Sequence, residues 1–340
     1  MTPDPLEGDR LSGAPHPRRR YDFAGHKHVE AELLSAWRSG RFPHALLLGG
    51  PQGIGKATLA YRLTRFILAG GTGDNFDISP DHPVAKQVAA LSHPDFLVLR
   101  RLPAEEGKPL SKFIRVEDTR RIVSFLGSTA AYGGWRVCII DAVEDMNRES
   151  ANAILKLLEE PPTRALFILV SHTPGRLLPT IRSRCRRIDM KALAIGEITD
   201  ALRSLTNDIP DLDPSRFTSA AEASQGSVAR ALTLLIGGEG GLEVLNLTRG
   251  LLARLPQVES ASVAALGDKL RGDNLDVFAD TVGDWLAEAA TGEGHPARLA
   301  QLAAAWEKVR RATADAAIFN LDRKPLVFQV FSMLAEATRD

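Results

Sequence analysis

Two cysteines among 340 residues, Cys138 and Cys185, are too few for a disulfide framework or a four-cysteine zinc site. They fit a reducing compartment. Neither sign of charge is in excess, since Lys+Arg and Asp+Glu both number 42. No global field therefore draws the chain onto nucleic acid or a membrane, and any such contact needs a local patch. No apolar run reaches the roughly 18 residues of a membrane span, and the first residues lack the apolar core of a secretory signal. A cytoplasmic chain without membrane contact is the expectation. What remains is an ordinary globular composition, 44% apolar and 25% charged. The length suits two or three domains.

Residues 1–20 carry Pro3, Pro5, Pro15 and Pro17 and end in Arg18-Arg19-Arg20. That composition predicts a disordered, solvated arm. Over 21–190, short apolar runs alternate with helical patterns. Ala45–Leu48, Phe96–Leu99, Val137–Ile140 and Leu166–Val170 read as strands, and residues 55–69 as a helix. Nearly continuous hydrophobicity in those strands implies a parallel sheet covered on both faces. Between the third and fourth strands, Asn147 is an N-cap candidate and Pro161-Pro162 stops a helix, whose Ile154, Leu157 and Leu158 share one face. After Met190 no strand is predicted. Residues 191–236 read as a small helical unit, Gly237-Gly238-Glu239-Gly240-Gly241 as a flexible break, and 242–340 as an Ala/Leu-rich helical end for packing or assembly.

The loop after the first strand, Gly49 to Thr58, nearly completes a phosphate-binding motif of Gly, four residues, Gly, Lys and then Ser or Thr. Gly50, Gly55 and Lys56 are in place, with Gly53 inside the loop, but Ala57 stands where the hydroxyl belongs. Backbone N–H groups at such a helix start cradle phosphate, the lysine neutralises it, and the hydroxyl holds Mg²⁺. Thr58 lies one residue further on, turned by roughly 100°. The loop is built to hold phosphate and poorly built to hydrolyse it.

Asp141 ends the third strand, where a metal-holding carboxylate belongs; the next position, Ala142, lacks the glutamate that would orient water. Glu144 and Asp145 follow too late to match that geometry. A third feature is the run Arg182-Ser183-Arg184-Cys185-Arg186-Arg187. By composition it is a solvated face, a nucleic-acid patch, or a source of an arginine for another subunit's γ-phosphate.

The run Ser150-Ala151-Asn152-Ala153-Ile154-Leu155-Lys156-Leu157-Leu158-Glu159-Glu160-Pro161-Pro162, followed by Ser183-Arg184-Cys185, resembles the clamp-loader subunits of the bacterial DNA polymerase III holoenzyme. Phe23-Ala24-Gly25-His26, Phe42-Pro43-His44-Ala45, His93-Pro94-Asp95 and Asn320-Leu321-Asp322-Arg323 also fit, so the resemblance covers about residues 23–338. It implies an α/β P-loop AAA+ module over 21–190, a helical lid over 191–236 and an all-α collar over 242–340 within a five-subunit ring. It implies that Arg184 is an arginine finger aimed at ATP on a neighbouring gamma or tau subunit. Gamma/tau-type members carry Ser/Thr where Ala57 stands, Glu where Ala142 stands, and a lid arginine that here, as Arg230, comes one place late after Gly226-Ser227-Val228-Ala229. These departures favour a non-hydrolysing member.

Many relatives also carry a four-cysteine zinc module, but residues 70–94 hold no cysteine. His82 and His93 with Asp81 and Asp95 read as loop residues, as do His26 and His28, and no metal is expected. The expected ligand is ATP or ADP in a degenerate site formed by Gly50, Gly53, Gly55, Lys56, Ala57, Thr58 and Asp141. Expected partners are gamma/tau and delta subunits, with the sliding clamp and primed DNA reached through the complex. Two alternatives are an ATPase using Thr58 and Glu144, and a standalone DNA-binding protein using residues 18–20 and 182–187.

Overall fold

The computed structural model describes residues 7–103, 110–236, 240–272, 274–292, 295–319 and 321–338. It divides into two compact units, one running to Pro210 with Ala221–Arg230 added, the other Asp211–Ala220 with Ala231 onward. The division passes through two helices of the segment read as a lid. No helix among the described residues is long and apolar enough to cross a membrane.

The first unit runs α1 (Lys27–Arg38), β1 (Ala45–Gly49), α2 (Lys56–Leu68), α3 (Pro83–Ala89), β2 (Phe96–Arg100), α4 (Val116–Gly127), β3 (Arg136–Asp141), α5 (Arg148–Glu159), β4 (Ala165–Ser171), α6 (Pro179–Arg182), β5 (Arg186–Asp189) and α7 (Ile195–Leu205). The strands form one parallel sheet in the order β2-β3-β4-β1-β5. Every residue of β1, β3 and β4 is buried. Alternate residues serve opposite faces. Leu46, Leu48, Val137, Ile139 and Ile168 pack under α1, α2 and α3 with Leu33, Leu59 and Val88. Ala45, Leu47, Cys138, Ile140 and Phe167 pack under α4, α5 and α6 with Ile122, Ile154 and Ile181. Two covered faces explain why these strands read as unbroken apolar runs. Asn147 caps α5, its side chain accepting from Ser150 N at 2.8 Å.

Two expectations differ from the structure. A fifth strand, β5, begins at the end of the arginine run and pairs with β1 from Leu46↔Arg186 to Gly49↔Asp189. Only Ile188 of β5 is buried, so this edge strand carries no apolar pattern. The second concerns the arm, expected to be disordered over 1–20. Residues 1–6 lie outside the described residues, but 7–20 pack onto the first unit. Arg18 Nη1 meets both oxygens of Glu7 at 2.8 Å, and Arg100 at the end of β2 contacts Glu7 and lies 3.4 Å from Asp9. His16 Nε2 sits 3.1 Å from the same Asp9, while Arg20 pairs with Asp208. Of the arginines that suggested solvation, Arg18 and Arg20 are instead partnered while Arg19 is exposed, and the Asp9 side chain is wholly buried.

The remaining helices are α8 (Phe217–Ala223), α9 (Val228–Ile236), α10 (Gly240–Leu252), α11 (Ser260–Lys269), α12 (Asn274–Thr291), α13 (Pro296–Ile318) and α14 (Arg323–Thr338). Within the second unit, α10 packs on α12, α12 on α13, and α14 on both α11 and α13. Val244, Phe278, Val282, Val309, Val327 and Phe331 are among its buried apolar residues. Of the predicted glycine-rich break, residues 237–239 and Asn320 of the tail motif lie outside the described residues. Gly240 and Gly241 open α10.

Candidate nucleotide site and arginine turn

The phosphate loop leaves β1 after Gly49 and enters α2 at Lys56. Gly50 and Gly53 have φ of +148° and +77°, a region that favours glycine. A Cβ at Gly50 would stand 2.1 Å from Met190 O, and one at Gly53 2.3 Å from Ser227 Oγ and 2.6 Å from Ala229 Cβ. Ala229 N also donates to Gly53 O at 3.2 Å. The loop apex thus lies directly beneath the Gly226-Ser227-Val228-Ala229 turn. Arg230, late by one place, leaves that turn by donating Nη1 to Gln225 Oε1 at 3.2 Å. On the other side, His26 Nε2 is 3.1 Å from Ile54 O, and the Phe23 ring lies 3.1 Å from where a Gly55 Cβ would be. Phe23, His26, Ser227 and Ala229 shape the loop; both segments were singled out by the family resemblance, but their contact with it comes from the fold.

Lys56 is buried, and its Nζ donates to Gly50 O at 2.7 Å and to Pro51 O. Burial pulls its ammonium down to about 8, against the opposing charges of Asp141 and Glu144. Asp141 is also buried, and burial pushes its carboxyl up to about 7; Asp9 adds to the rise and Lys56 opposes it. Ala57 and Thr58, on the first turn of α2, are half-buried. The structure thus brings Gly50, Gly53, Gly55, Lys56 and Asp141 together.

The raised Asp141 carboxyl favours the folded state below its unfolded pKa and penalises it increasingly as pH rises toward 7. Asp141→Asn is therefore expected to stabilise the chain at pH 8, by up to about 4 kcal/mol, and to change little at pH 4. Urea denaturation at the two pH values measures the difference; equal effects at both would contradict it.

Glu144 is engaged at the end of β4. Its Oε1 accepts from Ser171 Oγ, His172 N at 2.9 Å, Thr173 N at 2.7 Å and Thr173 Oγ1 at 3.2 Å. Burial would raise its carboxyl, but these hydrogen bonds outweigh burial and lower it. Glu144 therefore ties down the chain leaving β4. Next to it, burial takes His172 down to about 4, helped by Lys56.

Arg184 sits in the turn between α6 and β5. Its Nη2 meets Glu159 Oε1 at 2.6 Å, and its Nη1 donates to Thr180 O at 2.9 Å. Arg186 pairs with Glu32 at 2.7 Å and Arg187 with Asp189 at 2.6 Å. Since Leu46 pairs with Arg186 and Gly49 with Asp189, Arg184 precedes one end of the β1–β5 ribbon and the phosphate loop leaves the other.

The residues weighed for metal have local structural partners. His82 Nδ1 accepts from Val84 N at 3.2 Å to cap α3, and Asp81 pairs with Lys86 at 3.1 Å. His93 Nδ1 accepts from Asp95 N at 3.1 Å. The Asp95 carboxylate in turn accepts from Ala131 N and Tyr132 N at 2.8 and 3.2 Å.

A parallel sheet with a glycine-lysine loop after its first strand, a buried acid ending a neighbouring strand, and a helical second unit define a P-loop α/β module of the AAA+ type. The family model described as DNA polymerase III, delta subunit, matches residues 25–194, half of the chain. DNA polymerase III subunit delta′ of Pseudomonas aeruginosa is 34% identical over 249 residues, 71% of this chain and 70% of that protein. The chain belongs to the DNA polymerase III delta′ family. Similarity extends to subunit tau of Escherichia coli, 31% identical over 219 residues, 64% of this chain and 32% of that longer protein. A solved gamma subunit-related protein of Thermotoga maritima is 20% identical, covering 90% of this chain and 100% of that one, with a TM-score of 0.39.

Proposed function

We propose that this chain is a clamp-loader subunit of DNA polymerase III that supports assembly and lends Arg184 to a neighbour's ATP without hydrolysing ATP itself. The observation that carries this reading is a phosphate cradle lacking hydrolytic groups, on the same sheet as a surface arginine held at the far end. The loop has the residues a phosphate needs: Gly50, Gly53 and Gly55 allow its positive-φ turns beneath Met190, Ser227 and Phe23, and the Lys56 ammonium lies within it on Gly50 O. It does not fit the metal. Ala57 offers no hydroxyl, Asp141 is held up to about 7, and Glu144 is committed to the end of β4. A bound ADP or ATP would contribute charge and packing only.

In this reading residues 21–190 form the nucleotide module, 191–236 the lid and 242–340 the assembly collar. The partners are gamma/tau and delta subunits, with the sliding clamp and primed DNA met through the complex in the cytoplasm. The standalone DNA-binding alternative fares worse. Arg18 and Arg20 are largely buried against carboxylates of the chain, and equal numbers of acidic and basic residues give no field that steers it to DNA.

The test is ATP turnover by the purified chain alone and with its own gamma/tau and delta partners. The isolated chain is expected to be inert, with turnover appearing only in the complex. Hydrolysis by the isolated chain that Lys56→Ala abolishes would establish the ATPase alternative instead.

A further inference from the structure

Helix α5 ends in Glu159-Glu160 before Pro161-Pro162. Carboxylates in a last helical turn face unpaired carbonyls of the same sign, which is unfavourable unless a cation compensates. The compensating cation at Glu159 is Arg184, 2.6 Å away, so the Glu-Glu-Pro-Pro and Ser-Arg-Cys motifs meet in one ion pair. The remaining contacts of the guanidinium show its state. Nη2 is taken by Glu159, while Nη1 donates to Thr180 O at 2.9 Å and Ser183 Oγ at 3.3 Å. Both terminal nitrogens, the fork with which an arginine grips a phosphate, are engaged inside the chain. The pair is also accessible, with side-chain exposures of 32% for Arg184 and 49% for Glu159. Exposed ion pairs are weak and readily exchanged, and a γ-phosphate offers more charge and more acceptor oxygens than one carboxylate.

We propose that Glu159 is a parking ligand for Arg184. It holds the guanidinium folded on the α5–α6 surface until a neighbouring subunit presents a nucleoside triphosphate, whose terminal phosphate takes the place of the carboxylate. The proposal rests on the arginine-finger reading. Parking lowers the fraction of Arg184 free to engage and so raises the ATP concentration needed for turnover.

Glu159→Gln tests this, keeping shape while removing charge and relieving the acid at the helix end. In the full-length isolated chain, arginine side-chain NMR is expected to show, beside the guanidinia held in buried pairs such as Arg18 and Arg100, one further guanidinium with slowed rotation about Cζ–Nη. That signal should vanish in Arg184→Ala, which assigns it, and in Glu159→Gln. In the reconstituted complex, Glu159→Gln is expected to lower the ATP needed for half-maximal turnover about three- to fivefold, the weight of an exposed pair. Glu159→Gln combined with Arg184→Ala should match Arg184→Ala alone. A higher ATP requirement, a lower maximal rate, or no change on Glu159→Gln overturns parking while leaving the finger intact. If Arg184→Ala itself leaves turnover unchanged, the finger reading fails and parking falls with it.

Discussion

Replacing Arg184 with alanine is expected to leave the isolated chain folded and to cut ATP turnover in the reconstituted assembly, the site facing it losing on the order of 10³-fold. The two halves of that expectation have different physical grounds. The native pair with Glu159 is partly exposed, so losing it costs no more than about 1 kcal/mol of stability. A guanidinium placed against the charge that develops during phosphoryl transfer acts where water is excluded and is worth far more. The informative experiment records turnover and subunit assembly on the same sample. Lost turnover in an intact assembly supports a donated arginine. Lost turnover with dissociation would make Arg184 an interface residue, and unchanged turnover would remove it from the mechanism.

Asp9→Ala is expected to destabilise the first unit by about 3–5 kcal/mol, the cost of leaving buried charge uncompensated. Its partners His16 and Arg100 are themselves buried. Burial alone would raise the Asp9 carboxyl, but the hydrogen bond with His16 and the charge of Arg100 prevail and lower it. A lowered folded-state value stabilises above the unfolded pKa and loses that contribution as pH falls through the folded one. The gap between wild type and Asp9→Ala should therefore be full at pH 7 and shrink below about pH 4. Urea midpoints across pH 3–8 measure it. A gap below about 1 kcal/mol at pH 7 would reduce the arm to a surface pairing.

The central strands were legible because both their faces are covered. β1, β3 and β4 bury residues such as Leu47, Ile139 and Phe167 completely, leaving an unbroken apolar signal in the sequence. β5 lacked that signal, since Arg186, Arg187 and Asp189 are exposed and Ile188 alone is buried. The cradle was legible because glycine and lysine spacing is local. Its neighbours were not: Ser227 and Ala229 reach Gly53 only through the fold. The arm was misread for a similar reason. Arg100, which meets Glu7 and Asp9, is far from them in the chain, so composition registered charges but not their pairing. Glu144 was doubted as a water activator from its place past the strand end alone; its bonds to Ser171, His172 and Thr173 leave no local trace.

The pairing of β1 with β5 fixes a polarity in the module. One end of that two-strand ribbon carries the glycine-lysine loop, and the turn before the other carries Arg184. Modules of this kind placed in a row complete each working site from two members, a loop from one and an arginine from the next. A member whose receiving end lacks the metal hydroxyl while its giving end is whole completes a site without founding one. On the proposed function this chain would be the terminus of such a row: it would fix where the run of working sites stops, and the members that precede it would set their number.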